Sequence, residues 1–145
     1  MHGLNLKKTK NMILTKVITV DFDDTLAVTQ NGAWGGESLV PIPRVINYVI
    51  EQHKKGSEIH VVTFRRWSDK EQVNDFCKGY KIPIKSIVCT EGTNKVPFLK
   101  KLNSELHIDD SVEVCTLCVM AEIEVLLVDW GQEEHNTTAK FLPKI

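Results

Sequence analysis

The sequence predicts an α/β domain built around a mostly parallel sheet. Short β-branched runs alternate with helical patterns along the whole chain. No repeat, low-complexity tract or Pro/Gly/Ser-rich linker divides them. Asp21, Thr63 and Asp109 each follow directly on an apolar run, which would bring three oxygen-bearing side chains to the carboxyl edge of one sheet.

The first strand is Val17 to Val20, ending at Asp21. A stretch containing Gly32, Gly35 and Gly36 follows and turns up again at Pro41 and Pro43. A helix from about Pro43 to Lys55 places Val45, Ile46, Val49 and Ile50 on one face and stops at Gly56. Glu58 to Thr63 is the second strand. Ser68 with Glu71 reads as a capping box opening a helix that carries Val73, Phe76 and Cys77 and ends at Gly79. Ser86 to Cys89 is the third strand, and Thr93 or Asn94 caps a helix containing Val96, Phe98, Leu99 and Leu102, with Pro97 in its first turn. The pattern closes with a strand at Leu106 to Ile108, a helix from about Ser111 to Ile123 and a strand at Val125 to Val128. Residues 1–15 read as a lead-in, 16–131 as the domain and 132–145 as a polar tail with no assigned role.

The chain of 145 residues holds one domain with a real core. Its net charge of −1, from Lys+Arg 18 and Asp+Glu 19, gives no overall pull toward nucleic acid or an anionic membrane. No run reaches the length of a membrane-spanning helix, and Met12-Ile13-Leu14 is too short for a secretory signal. Cys77, Cys89, Cys115 and Cys118 lie in apolar segments and read as reduced, buried thiols of a cytoplasmic protein. Cys115 and Cys118 form a lone C-x-x-C inside an apolar helix, which favours packing over redox or zinc chemistry.

Asp21, Asp23 and Asp24 with Asp109 and Asp110 make an acidic cluster from two strand ends. Gathered carboxylates repel one another and lose hydration, a cost that a divalent cation offsets. An all-oxygen set suits Mg²⁺ and, with no His/Cys set in the pattern, suits Zn²⁺ poorly.

The segment Asp21-Phe22-Asp23-Asp24-Thr25 resembles the D-x-D-x-T motif of the haloacid-dehalogenase-like (HAD) superfamily. Val61-Val62-Thr63 resembles its second motif, Lys95 fits its third, and His107-Ile108-Asp109-Asp110 resembles its terminal acidic pair, so the likeness runs from roughly Val17 to Trp130. It implies a Rossmann-like three-layer α/β/α sandwich with a central five-stranded sheet and a minimal cap. It also implies a Mg²⁺-dependent phosphomonoester phosphatase. Asp21 would be the nucleophile forming an aspartyl-phosphate, and Asp23 the general acid and then base. Thr63 would bond a phosphoryl oxygen, and Lys95 would neutralise the anionic site, with Lys85 and Lys100 as competitors for that part. Asp21, the backbone carbonyl of Asp23, Asp109 and Asp110 would hold Mg²⁺. Asp24 stands where the family often has Gly, and would lie outside the metal shell or tune it.

Neither the gap from Leu26 to Pro41 nor that from Lys95 to Asp109 holds a cap domain. The resemblance then implies an open site, for a macromolecular end, for a neighbouring subunit of a homo-oligomer acting as lid, or for a small substrate enclosed by the chain's own loops. Trp34 among glycines is the expected flap residue, able to stack on a base or sugar or to pack at an edge or dimer contact. Arg65 and Arg66 read mainly as surface charges, one of them reaching the phosphate or a second anionic group. The stretch Gly92 to Leu99 resembles 5′-nucleotidases of the deoxyribonucleotidase type. It favours a nucleotide or other small phosphomonoester, with a nucleic-acid end next and a non-catalytic HAD-like binding protein as the rival outside enzymology. Trp67 and Trp130 read as core or edge packing, and His107 as a strand residue able to hydrogen-bond within the site.

Overall fold

A computed structural model describes residues 15–29, 39–131 and 137–145. Strands β1 (Val17–Val20), β4 (Glu58–Thr63), β5 (Ser86–Cys89), β6 (Leu106–Asp109) and β7 (Glu124–Leu127) form one five-stranded sheet in the order β5-β4-β1-β6-β7. Every neighbouring pair is parallel, so the expected sheet is present. Two short strands, β2 (Ala27–Thr29) and β3 (Leu39–Pro41), pair antiparallel outside it. The sequence pattern did not separate them from the loop: three residues are too few to show a period of two. They flank residues 30–38, so Trp34 and the expected flap lie outside the described residues.

Helices α1 (Pro43–Lys54), α2 (Lys70–Gly79), α3 (Val96–Lys101) and α4 (Val112–Met120) cover the sheet. Val45, Ile46 and Val49 of α1 and Val73, Phe76 and Cys77 of α2 share one core with Ile18, Val20, Ile59, Val61 and Ile108. Leu99 of α3 and Val114, Cys115 and Cys118 of α4 belong to a second core with Val62, Val125 and Leu127. Two cores on opposite faces of one sheet make a three-layer α/β/α arrangement.

Helix ends follow local chemistry. Pro43 opens α1, and Gly56, at φ +103°, supplies the left-handed residue that turns the chain into β4. Ser111 caps α4 by accepting from the Val114 N–H at 3.1 Å, and Asn94 accepts from the Val96 N–H at 3.0 Å at the start of α3. The expected capping box at Ser68 and Glu71 is corrected: a 3₁₀ turn, Trp67–Asp69, precedes α2, and no side chain caps that helix. The last helix is also shorter than expected, ending at Met120 because the chain must turn into β7.

The C-terminal residues, assigned no role from the sequence, pack on the sheet. Leu142 and Ala139 are buried in the second core, and Leu127 N–H donates to Pro143 O at 2.7 Å while Ile145 N–H donates to Leu127 O at 2.9 Å. This covers part of the β7 edge. All four cysteines are free and buried, and burial pushes the Cys77 and Cys118 thiols up to about 12, which makes them inert packing groups. Among the described residues no helix is long and apolar enough to cross a membrane.

Strand order determines where a site can form. The chain leaves central β1, builds outward through β4 and β5, then returns to the other side of β1 for β6 and β7. The carboxyl end of β1 is therefore the topological switch point, where a crevice opens in sheets of this kind.

Candidate active site

Asp21 follows β1 at that switch point and is held there by its own N–H, which donates to Ile108 O at 2.8 Å. Its neighbour Phe22 is fully buried in the first core, so the backbone turns with Asp21 locked in place. Asp109 ends β6 and Asp110 follows it. One carboxylate oxygen from each of Asp21, Asp109 and Asp110 lies within 4.8 Å of the others.

Lys95 enters from the loop ahead of α3. Its ammonium, fully buried, donates to Asp21 Oδ1 at 2.8 Å and to Asp109 Oδ2 at 2.7 Å. Lys85 instead pairs with Glu58 at the amino end of β4, and Lys100 is exposed on α3, so of the three candidate lysines Lys95 is the one at the cluster. Thr25 donates to Asp21 Oδ2 at 3.0 Å and lies 3.4 Å from Asp110 Oδ1. His107 Nε2 meets Asp109 Oδ2 at 2.8 Å, and Ser111 N–H donates to Asp109 Oδ1 at 3.0 Å.

The electrostatics separate the three carboxylates. Burial would push Asp109 up, but Lys95 and His107 outweigh it and hold the group below the usual carboxylate range. Burial and the Asp109 charge push Asp21 up, against the pull of Lys95. Asp110 is pushed up to about 9 by burial and by Asp21, Asp109 and Asp24. Burial would push Lys95 down; Asp109 and Asp21 together hold it above its ordinary value. One ammonium thus does not balance three gathered carboxylates, and a hard divalent cation with oxygen preference fits the remaining charge and donor set. Among the described residues this all-aspartate group is the one that could hold a metal, and Mg²⁺ matches it.

The second half of the site faces the flap strands. Asp23 is outside the three-carboxylate group; its side chain accepts from Arg65 Nε at 2.9 Å and from Arg65 Nη2 at 2.7 Å, a bidentate pair. Thr29 of β2 also donates to Asp23, and Arg65 Nη1 donates to Gln72 Oε1 at 2.9 Å. The expectation of Arg65 as a surface charge is corrected. It is fully buried, with its guanidinium 5.1 Å from the centre of the Phe22 ring. Arg66 is mostly exposed and faces Asp69 at 3.7 Å, so it is not brought to the carboxylates. Thr63 is buried at the end of β4, and its Oγ1 accepts from the Arg65 N–H at 3.2 Å, a bond that leaves its O–H a donor.

Asp24 has φ +60°, which is why glycine suits that position. Its Oδ1 accepts from the Thr29 N–H at 3.3 Å, and its backbone carbonyl accepts from the Trp130 indole N–H at 2.9 Å. Asp24 therefore lies outside the group of Asp21, Asp109 and Asp110 and braces the turn. Trp130 and Trp67 are about half exposed, at 48% and 55%, rather than core residues. Arg44 covers the Trp130 ring at 5.1 Å, and Lys70 lies 5.0 Å from the Trp67 ring.

Sequence reasoning did not assign Thr25, Thr29 or Gln72 a part here. Thr25 carried a signal, the last position of D-x-D-x-T; Gln72 and Thr29 carried none, since only folding brings them to Arg65 and Asp23.

No family model matches the chain, and no curated protein matches it in sequence. Solved structures do match in shape. A chain of the Pnkp1/Rnl/Hen1 RNA repair complex superposes with a TM-score of 0.69 at 15% identity, covering 82% of this chain and 44% of that one. The D,D-heptose 1,7-bisphosphate phosphatase of Burkholderia thailandensis gives a TM-score of 0.62 at 13% identity, covering 89% and 88%. A Mesorhizobium loti protein assigned as a HAD-like phosphatase gives 0.59 at 16% identity, covering 79% and 73%. The chain shares the three-layer α/β fold of these structures. It spans less than half the length of the repair-complex chain it matches.

Proposed function

We propose that the protein is a Mg²⁺-dependent phosphomonoester hydrolase working through an aspartyl-phosphate on Asp21. The observation that carries this reading is the Lys95 ammonium held between Asp21 and Asp109 at the switch point, beside Asp110. Such a site sets a buried carboxylate beside a fixed ammonium and an oxygen-rich place for a divalent cation, at the edge where an anionic substrate would enter. The likeness to phosphatase structures supports the same reaction class.

Asp21 attacks phosphorus, the P–O ester bond breaks, and the leaving oxygen takes the proton of Asp23. Asp23 then removes a proton from water, whose oxygen attacks phosphorus, releasing orthophosphate and restoring Asp21. Lys95 and the Thr63 hydroxyl stabilise charge on the phosphoryl oxygens as they are displaced. Asp21, Asp109, Asp110 and the Asp23 carbonyl would hold Mg²⁺, which supplies Lewis-acid stabilisation of the phosphoryl group when bound. Asp23 must carry a proton to act as acid. Arg65 orients Asp23 through its bidentate pair, and that pair must loosen as Asp23 takes up the proton from solvent.

The substrate we favour is a nucleotide or another small phosphorylated metabolite. The shape likeness to a chain of an RNA repair complex supports a second reading, a phosphatase for nucleic-acid ends. A screen of phosphorylated metabolites against 3′- and 5′-phosphorylated oligonucleotides with Mg²⁺ separates the two. The oligonucleotide reading requires turnover that falls steeply with added salt. Asp21→Asn should abolish hydrolysis of an aryl phosphate and leave the circular-dichroism spectrum unchanged; retained turnover would remove Asp21 as nucleophile.

A further inference from the structure

His107 is fully buried in the middle of the sheet, on β6, two residues before Asp109 and on the same face. Its Nε2 lies 2.8 Å from Asp109 Oδ2, the oxygen that also receives Lys95. On its other side, Nδ1 lies 2.7 Å from Thr19 Oγ1 on β1, which in turn lies 2.8 Å from Ser104 Oγ in the loop after α3. Thr19 and His107 are directly paired across β1 and β6. An unbroken file of polar atoms therefore runs from Ser104 through Thr19 and His107 to Asp109, Lys95 and Asp21, along one face of the sheet and up to its carboxyl edge.

We infer that His107 is a positioning residue for Asp109, fixing through its Nε2–H the direction in which that carboxylate is presented to Mg²⁺ and to Lys95. This rests on the phosphatase reading above, in which Asp109 is a metal ligand. An ionised carboxylate oxygen accepts only, so Nε2 is the donor whether the ring carries one proton or two. The Thr19 hydroxyl holds the far side of the ring, so the imidazole cannot turn away. With Lys95 and His107 both on Oδ2 and Ser111 N–H on Oδ1, the Asp109 carboxylate is held by three donors and has one orientation. Partners of this kind behind metal ligands hold the ligand in register and matter to affinity nearly as much as the ligand. A buried imidazole requires a partner at both nitrogens, and here those partners are Thr19 and the Asp109 carboxylate.

Three variants separate positioning from packing. Gln at 107 can place an amide N–H near the position of Nε2, Asn can do so only near Nδ1, and Phe keeps a ring with neither group. Mg²⁺ affinity by calorimetry, kcat and KM for an aryl phosphate, and Tm are measured for each. His107→Phe and His107→Asn should weaken Mg²⁺ binding by roughly 10–100-fold and lower kcat, with KM less affected, while His107→Gln recovers most of the loss. If all three variants lose affinity equally, in proportion to their fall in Tm, or if none changes it, the positioning role is wrong. Should His107→Phe not fold, Thr19→Val, which keeps the volume and frees the ring, takes its place. A several-fold loss of Mg²⁺ affinity is then expected, and an unchanged affinity overturns the proposal. If the wild-type protein binds Mg²⁺ but turns over no phosphomonoester, the phosphatase reading fails and the calorimetric comparison still decides the role of His107. If it binds no Mg²⁺, both fall.

Discussion

On the face covered by α1 and α2, the three central strands bury Ile18 and Val20, Ile59 and Val61, and Leu106 and Ile108. On the face covered by α3 and α4, the same strands place Thr19, His60 and His107 at directly paired positions, and Ser86 of β5 continues the row beside His60. One face is an apolar core, held by area removed from water. The other carries a polar row, held by hydrogen bonds: His60 with Ser86 and Glu58, His107 with Thr19 and Asp109. Asp21 and Asp109 lie two residues beyond Thr19 and His107 and so emerge on the polar face, toward Lys95. The comparison shows that the carboxylates rest on a directional hydrogen-bonded support rather than on packing alone.

Substitutions on each face can break or sharpen that contrast. Lys95→Met should have the largest effect, because it leaves Asp21 and Asp109 without their shared cation. Removing one partner of a buried ion pair costs about 3–5 kcal/mol, so urea unfolding without metal should show a loss of that order, partly recovered with Mg²⁺. Ile18→Ala on the apolar face should cost roughly 2–4 kcal/mol by the same measurement while leaving the kcat of the folded enzyme within a few-fold of wild type. Loss of activity as large as that of His107→Phe would erase the distinction between the faces. Asp110→Asn removes a carboxyl that the metal-free fold must protonate at neutral pH, so it should stabilise the metal-free protein by about 1 kcal/mol or more, seen as a few degrees in Tm, while weakening Mg²⁺ binding. Asp24→Gly should be the smallest change. It relieves the positive φ and loses only the 3.3 Å contact with Thr29, giving a gain of no more than about 1 kcal/mol, read by thermal unfolding.

Much of the molecule is legible without a structure. The strands are short apolar runs with clear ends, so β1, β4 and β5 fall where the pattern puts them; Asp21 follows β1, Thr63 ends β4 and Asp109 ends β6. Lys95 is preferred to Lys85 and Lys100 for its place just ahead of the Val96 helix start, but its burial between Asp21 and Asp109 is decided only by the fold. Arg65 was harder still. Its burial depends on Asp23, 42 residues away, and on Gln72 of α2. The hairpin strands β2 and β3 and the C-terminal packing were missed because their segments are too short for periodicity to speak.

The D-x-D-x-T string and the order of strands and helices are local properties, set by residue type and by the period of apolar side chains, and the amino-acid sequence determined them by itself. Which charges meet is different. Asp21 with Lys95 and Asp110, Asp23 with Arg65, and Asp109 with a histidine tied to Thr19 are pairings between distant parts of the chain. Only the parallel order of β1 between β4 and β6 decided them, because hydrogen bonds and ion pairs act over a few ångströms and carry no trace in sequence separation.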